Sequence, residues 1–121
     1  MNNLLEFLDK SKTAYHAHDE AVKLLLSEGF EELKENLPFK IKKGGKYFVS
    51  RDGSALIAFT VGEKLSFNIV ASHADSPCFK IKSNPEIKVE SYCKLNVERY
   101  GGGLNYSFLD IPLKIGRASC R

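Results

Sequence analysis

The sequence predicts an α/β fold, two amino-terminal helices followed by a mixed sheet, and three observations predict it. Apolar residues recur at spacings of three and four up to Ser27, and the period changes to two after Gly44. A run from Phe67 to Ala71 then has the apolar content of a centrally placed strand. A chain of 121 residues, 43% hydrophobic and 27% charged, is globular in composition and the size of one folded unit, or one plus a piece.

The first helix is short. Leu4, Leu5, Phe7 and Leu8 fall close to one helical face, and Asp9-Lys10-Ser11 breaks the pattern. Thr13 is placed to cap a second helix running to about Ser27, in which Ala14, Ala17, Ala21, Leu24 and Leu25 form the apolar stripe. Gly29 stands where a helix C-cap glycine belongs. Phe30, Leu33 and Leu37 carry a connecting segment of no clean period to Pro38.

Two strands are expected at Lys46–Ser50 and Ser54–Val61, joined at Asp52-Gly53, because such a turn needs positive φ. A third strand, Ser66–Ser72, should lie centrally and deliver His73 at its carboxyl end. Cys78–Lys82 and Tyr92–Glu98 read as further strands, and Gly101-Gly102-Gly103 as a flexible or tightly turned loop. A composition shift near Ser83-Asn84-Pro85-Glu86 suggests a domain boundary, dividing the chain into 1–85 and 86–114.

Charge and cysteine usage narrow the function classes. The net charge of +3, from 18 basic and 15 acidic residues mixed along the chain, gives no single-sign field, so nucleic-acid binding is not expected. Lys40, Lys42, Lys43 and Lys46 interleave with Phe39 and Tyr47, a pattern that reads first as a solvated edge and turn. Apolar stretches such as Ala55–Phe59 are far too short to span a bilayer, and Met1-Asn2-Asn3 lacks a signal-like basic start. No membrane partner and a cytoplasmic location are the expectations. Cys78, Cys93 and Cys120 are odd in number and share no CxxC spacing, so they read as free thiols.

The segment that carries chemistry is Ala71-Ser72-His73-Ala74-Asp75-Ser76-Pro77. Functional groups of open α/β sheets gather outside the carboxyl ends of strands, where His73 and Asp75 are expected. In extended chain their two-residue spacing turns both side chains to one side. That suits a metal-binding imidazole, with a nitrogen about 2.0–2.1 Å from zinc, and a carboxylate that fixes its tautomer. Pro77 would lock the exit of the loop.

By chemistry alone the same pattern favours a hydrogen-bonded structural histidine, since a zinc site needs at least three protein ligands. His16 and His18 point to different helix faces and read as surface or packing residues. A thiol hydrolase built on Cys78 lacks a helix N-terminus at the thiol, which reads better as a buried structural group. The triple glycine has no GK[ST] element after it and is discounted as a phosphate loop.

Several blocks together resemble the aspartyl aminopeptidase family of zinc metallopeptidases in its bacterial form. They are Leu5–Ser11 with Thr13–Ala17, Gly44-Gly45-Lys46-Tyr47, the ASHADSP block running into Phe79-Lys80-Ile81-Lys82, Asn84-Pro85-Glu86, and Lys94–Glu98 with Tyr100–Gly103. The resemblance covers about residues 3–114. It implies the start of a zinc-exopeptidase catalytic domain with two zinc ions per active site. An inserted β-rich oligomerisation domain beginning at 86, and a homo-oligomeric protein acting on peptides, acidic amino-terminal residues by default, are implied as well. It makes His73 a zinc ligand and Asp75 the carboxylate assisting at the active site. The bridging carboxylate, general base and other ligands fall in later family sequence.

Lys12, Phe108 and Ile111 depart from the family's usual proline, tryptophan and arginine. Segment 115–121, Ile115 to Arg121, reads as a translated sequencing adapter, a non-native tail in which Cys120 and Arg121 carry no inference. The expected function is thus that of an amino-terminal fragment of a zinc aminopeptidase, inactive alone. The alternative is a non-catalytic assembly domain that retains the scaffold.

Overall fold

The computed structural model describes residues 2–64 and 66–116, which form two compact units. One runs through Asp75 and includes Gly116; the other is Ser76–Ile115.

Helix α1 spans Asn2–Lys10 and α2 spans Ala14–Ser27. In α1, Lys10 Nζ donates to Glu6 Oε1 at 2.7 Å, one turn away. This hydrogen bond, and secondarily the ammonium charge, hold the Glu6 carboxyl below its ordinary range. Thr13 caps α2 from an extended conformation, φ −137° and ψ 167°, its side chain accepting from the His16 amide. The helix stops where Gly29 turns to φ 78°. The Gly29 N–H then bonds Leu26 O at 3.1 Å and the Phe30 N–H bonds Leu25 O at 3.0 Å, closing the last carbonyls.

The connecting segment beyond Phe30 holds a strand the sequence did not announce. β1, Glu31–Glu32, pairs parallel with β2, Lys46–Arg51, and β2 pairs antiparallel with β3, Ala55–Thr60. Between β2 and β3, Asp52 at φ 52° and Gly53 at φ 62° make the expected turn.

The core sits on β2. Adjacent residues of a strand face opposite ways, yet Tyr47 is 4% and Phe48 0% exposed, so β2 is covered on both faces. On one face the Tyr47 ring lies 5.8 Å from that of Phe59, and its hydroxyl accepts the Lys42 N–H at 3.1 Å. Gly45 is required there, because a Cβ would run into the Tyr47 ring. On the other face, shared by Phe48 and Ser50, Ser50 Oγ meets His18 Nε2 of α2 at 2.8 Å. Burying Phe48 contributes roughly 1.5–3 kcal/mol.

The expected third strand is not formed. Residues 66–77 lie in neither helix nor strand, and Phe67, Ile69 and Val70 are 80%, 83% and 98% exposed. A strand apolar on both faces needs neighbours on both edges, and parallel ones arrive only through long crossovers. Among the described residues no such neighbour is present, so the segment stays irregular although its composition suits a strand.

The second unit is a long hairpin, β4 at Cys78–Val89 and β5 at Tyr92–Tyr100, followed by a short 3-10 turn at Asn105–Phe108. Its turn, Glu90-Ser91, carries no glycine; Glu90 itself takes φ 52°. The ladder shifts register between Ile81 and Glu86, where Asn96 Nδ2 donates to Asn84 O at 3.2 Å. Pro85, which has no N–H to give a ladder, sits inside that irregularity. The 85/86 boundary expected from composition thus falls within β4, and the two compact units divide between Asp75 and Ser76. Of segment 115–121, residues 117–121 lie outside the described residues.

Candidate metal centre

His73 and Asp75 lie on the irregular segment after residue 66, not at the end of a formed strand. Their side chains nevertheless meet. His73 Nδ1 is 3.1 Å from Asp75 Oδ1 and 2.7 Å from the Asp75 backbone oxygen. A carbonyl and a carboxylate oxygen both accept, so Nδ1 must carry the proton in the neutral ring. The lone pair is then on Nε2, for which no partner is found among the described residues. The imidazole is 81% and the Asp75 side chain 45% exposed, so the pair opens to solvent.

This donor set fits one ligand of a zinc ion, a neutral imidazole presenting Nε2 with its other nitrogen held by an oxygen acceptor. It does not make a complete site. Among the described residues no group of three or more His, Cys, Asp or Glu side chains is gathered for a metal. The one contributor that sequence reading missed is the Asp75 backbone carbonyl. No residue type signals it, because every residue has one.

The other candidates are spoken for. His16 Nδ1 lies 2.9 Å from Thr13 Oγ1 at the cap of α2, and His18, 7% exposed, is fixed against Ser50. Both are cap or packing residues, as their spacing suggests. Cys78, expected to be buried, is exposed, because the hairpin that carries it is a single layer with nothing packed over it; Cys93 is a free, exposed thiol as well. Cys120 lies outside the described residues. In the lysine cluster, Lys46 is engaged locally, donating to Glu28 O at 3.1 Å and lying 5.5 Å from the Phe30 ring centroid. No helix among the described residues is long and apolar enough to cross a membrane.

Against known families, the model described as Aminopeptidase I zinc metalloprotease (M18) matches residues 7–119. The chain belongs to the M18 family of zinc metalloproteases. A probable M18 family aminopeptidase 2 of Clostridium novyi is 46% identical over 126 residues, covering 99% of this chain and 29% of the relative. A probable aspartyl aminopeptidase of Ricinus communis is 37% identical, covering 99% of this chain and 26% of that protein. The mApe1 dodecamer of S. cerevisiae superimposes with a TM-score of 0.70 at 30% identity, over 90% of this chain and 27% of that one. This M18 chain therefore spans less than a third of the length of the relatives it matches.

Proposed function

We propose that this M18 chain supplies the first ligand of a zinc aminopeptidase centre, His73 through Nε2, with Asp75 holding the ring from the opposite nitrogen. The observation that carries the reading is the double acceptance of Nδ1–H by the Asp75 carboxylate and carbonyl. Bound zinc would polarise a scissile carbonyl and lower the pKa of a coordinated water toward neutrality. Within that chemistry, Asp75 fixes the tautomer and raises the basicity of the ligand nitrogen. The remaining ligands, a second zinc and the general base belong to sequence beyond the span of this chain, consistent with its covering 29% of a relative.

Peptides are the substrate class, with an acidic first residue as the choice suggested by the resemblance to aspartyl aminopeptidases. A homo-oligomer is supported by the dodecameric relative, with residues 86–114 beginning the β-rich part that would serve assembly. A cytoplasmic setting is part of the same proposal, as is a non-native origin for 115–121.

The test is zinc content and aminopeptidase activity of the complete polypeptide, native and His73→Ala. The expected result is loss of about one zinc and of nearly all turnover. Full activity in the variant would sink the assignment.

A further inference from the structure

We propose that Gly103, acting through Pro77, is a positioning residue for the His73–Asp75 pair. The inference rests on the reading of His73 as a ligand.

Pro77 and the triple glycine lie in the same compact unit. A Cβ built on Gly103 would come 2.8 Å from Pro77 Cβ and 3.6 Å from its Cγ, so only glycine admits the proline ring at this distance. Gly101 adds a second restraint, with φ 80° and a Cβ position 3.3 Å from Pro77 Cα. Gly102 has nothing within 4 Å. The loop is held from behind. Arg99 Nη2 donates to Gly103 O at 2.7 Å, and the Phe108 ring, itself edge-on to Phe79 at 5.5 Å, lies 3.7 Å from the Gly103 Cβ position.

The consequence for the pair is transmitted covalently. Proline fixes its own φ and confines the residue before it to extended conformations. That residue is Ser76, and the peptide joining it to Asp75 contains the carbonyl that accepts from His73 Nδ1 at 2.7 Å. A displaced Pro77 therefore re-aims that carbonyl, which frees Nδ1 to exchange tautomers and takes the lone pair from Nε2 for part of the time. Arg99, Phe108 and the two outer glycines thereby acquire a common task.

The test is nitrogen-15 spectroscopy of the histidine rings in the 121-residue chain, comparing Gly103→Ala, Gly101→Ala, Gly102→Ala and Pro77→Gly. Native His73 should show well-separated Nδ1 and Nε2 shifts, the mark of one fixed tautomer. Gly103→Ala and Pro77→Gly should bring the two shifts toward each other, and Gly101→Ala should do so too. Gly102→Ala should leave them unchanged, with the amide signals of Tyr47 and Phe48 constant throughout. Pro77→Gly creates no clash, so it carries the test if Gly103→Ala disturbs the hairpin.

Unchanged His73 shifts in both Gly103→Ala and Pro77→Gly, or an equal change in Gly102→Ala, would overturn the proposal. Zinc added to the native chain separates this from the reading beneath it. If zinc leaves the Nε2 signal unmoved while the glycine series behaves as stated, the ligand assignment fails and the positioning role stands.

Discussion

The two compact units use the same backbone chemistry with opposite results. In the hairpin unit the strands are 12 and 9 residues long, against 6 and 6 for β2 and β3, yet no described residue of Ser76–Ile115 is buried. The four buried side chains, His18, Leu33, Tyr47 and Phe48, all belong to the other unit. Ladder length does not make a core. A two-stranded ribbon pairs its amides but leaves both faces open, and in water such a ribbon is marginal. The shorter hairpin succeeds because β1 extends it to three strands and α2 lies against the face that carries Phe48.

The largest effect that should separate the units is deletion of the one fully buried ring. Phe48→Ala is expected to cost about 3–5 kcal/mol by denaturant unfolding, with protection lost at the Leu33 amide, which bonds Phe48 O at 2.8 Å. A cost below about 1 kcal/mol would show that β2 is not the centre of the core. Next in size is the helix start. Thr13→Ala removes the acceptor for the His16 amide and should cost about 1 kcal/mol, visible as faster exchange through the first turn of α2.

In the hairpin, Val97→Ala should cost less than about 1 kcal/mol, since that side chain is already 37% exposed. A cost like that of Phe48→Ala would mean that something covers the ribbon and would erase the contrast. The smallest effect belongs to fully exposed Glu6. Its carboxyl titrates below the usual range because Lys10 bonds its charged form, so this contribution is present at neutral pH. It is lost as pH falls through the depressed value. Circular dichroism from pH 7 to pH 3 should show a slight loss of α1 that Glu6→Gln abolishes.

Much of this was legible from neighbours in sequence. The Thr13 cap, the Gly29 stop and the Asp52-Gly53 turn are local rules, satisfied within a few residues of themselves, and each is found where it is read. The Glu90-Ser91 turn escapes the same reading because a glutamate, not a glycine or asparagine, takes the positive φ. Phe67–Ser72 escapes it for another reason: its composition suits a strand, but strand pairing is a relation with another segment, and none of the described residues supplies it.

For the candidate site the division is similar. The sequence by itself determined that an imidazole and a carboxylate stand two residues apart before a proline, and that the blocks around them belong with zinc peptidases. Only the tertiary structure decided which ring nitrogen Asp75 holds, that its backbone carbonyl joins in, and that His18 is consumed by Ser50 across 32 residues of chain. The reason is physical. Residue identity states what a side chain can donate or accept, whereas which atom does so depends on where the folded backbone aims it.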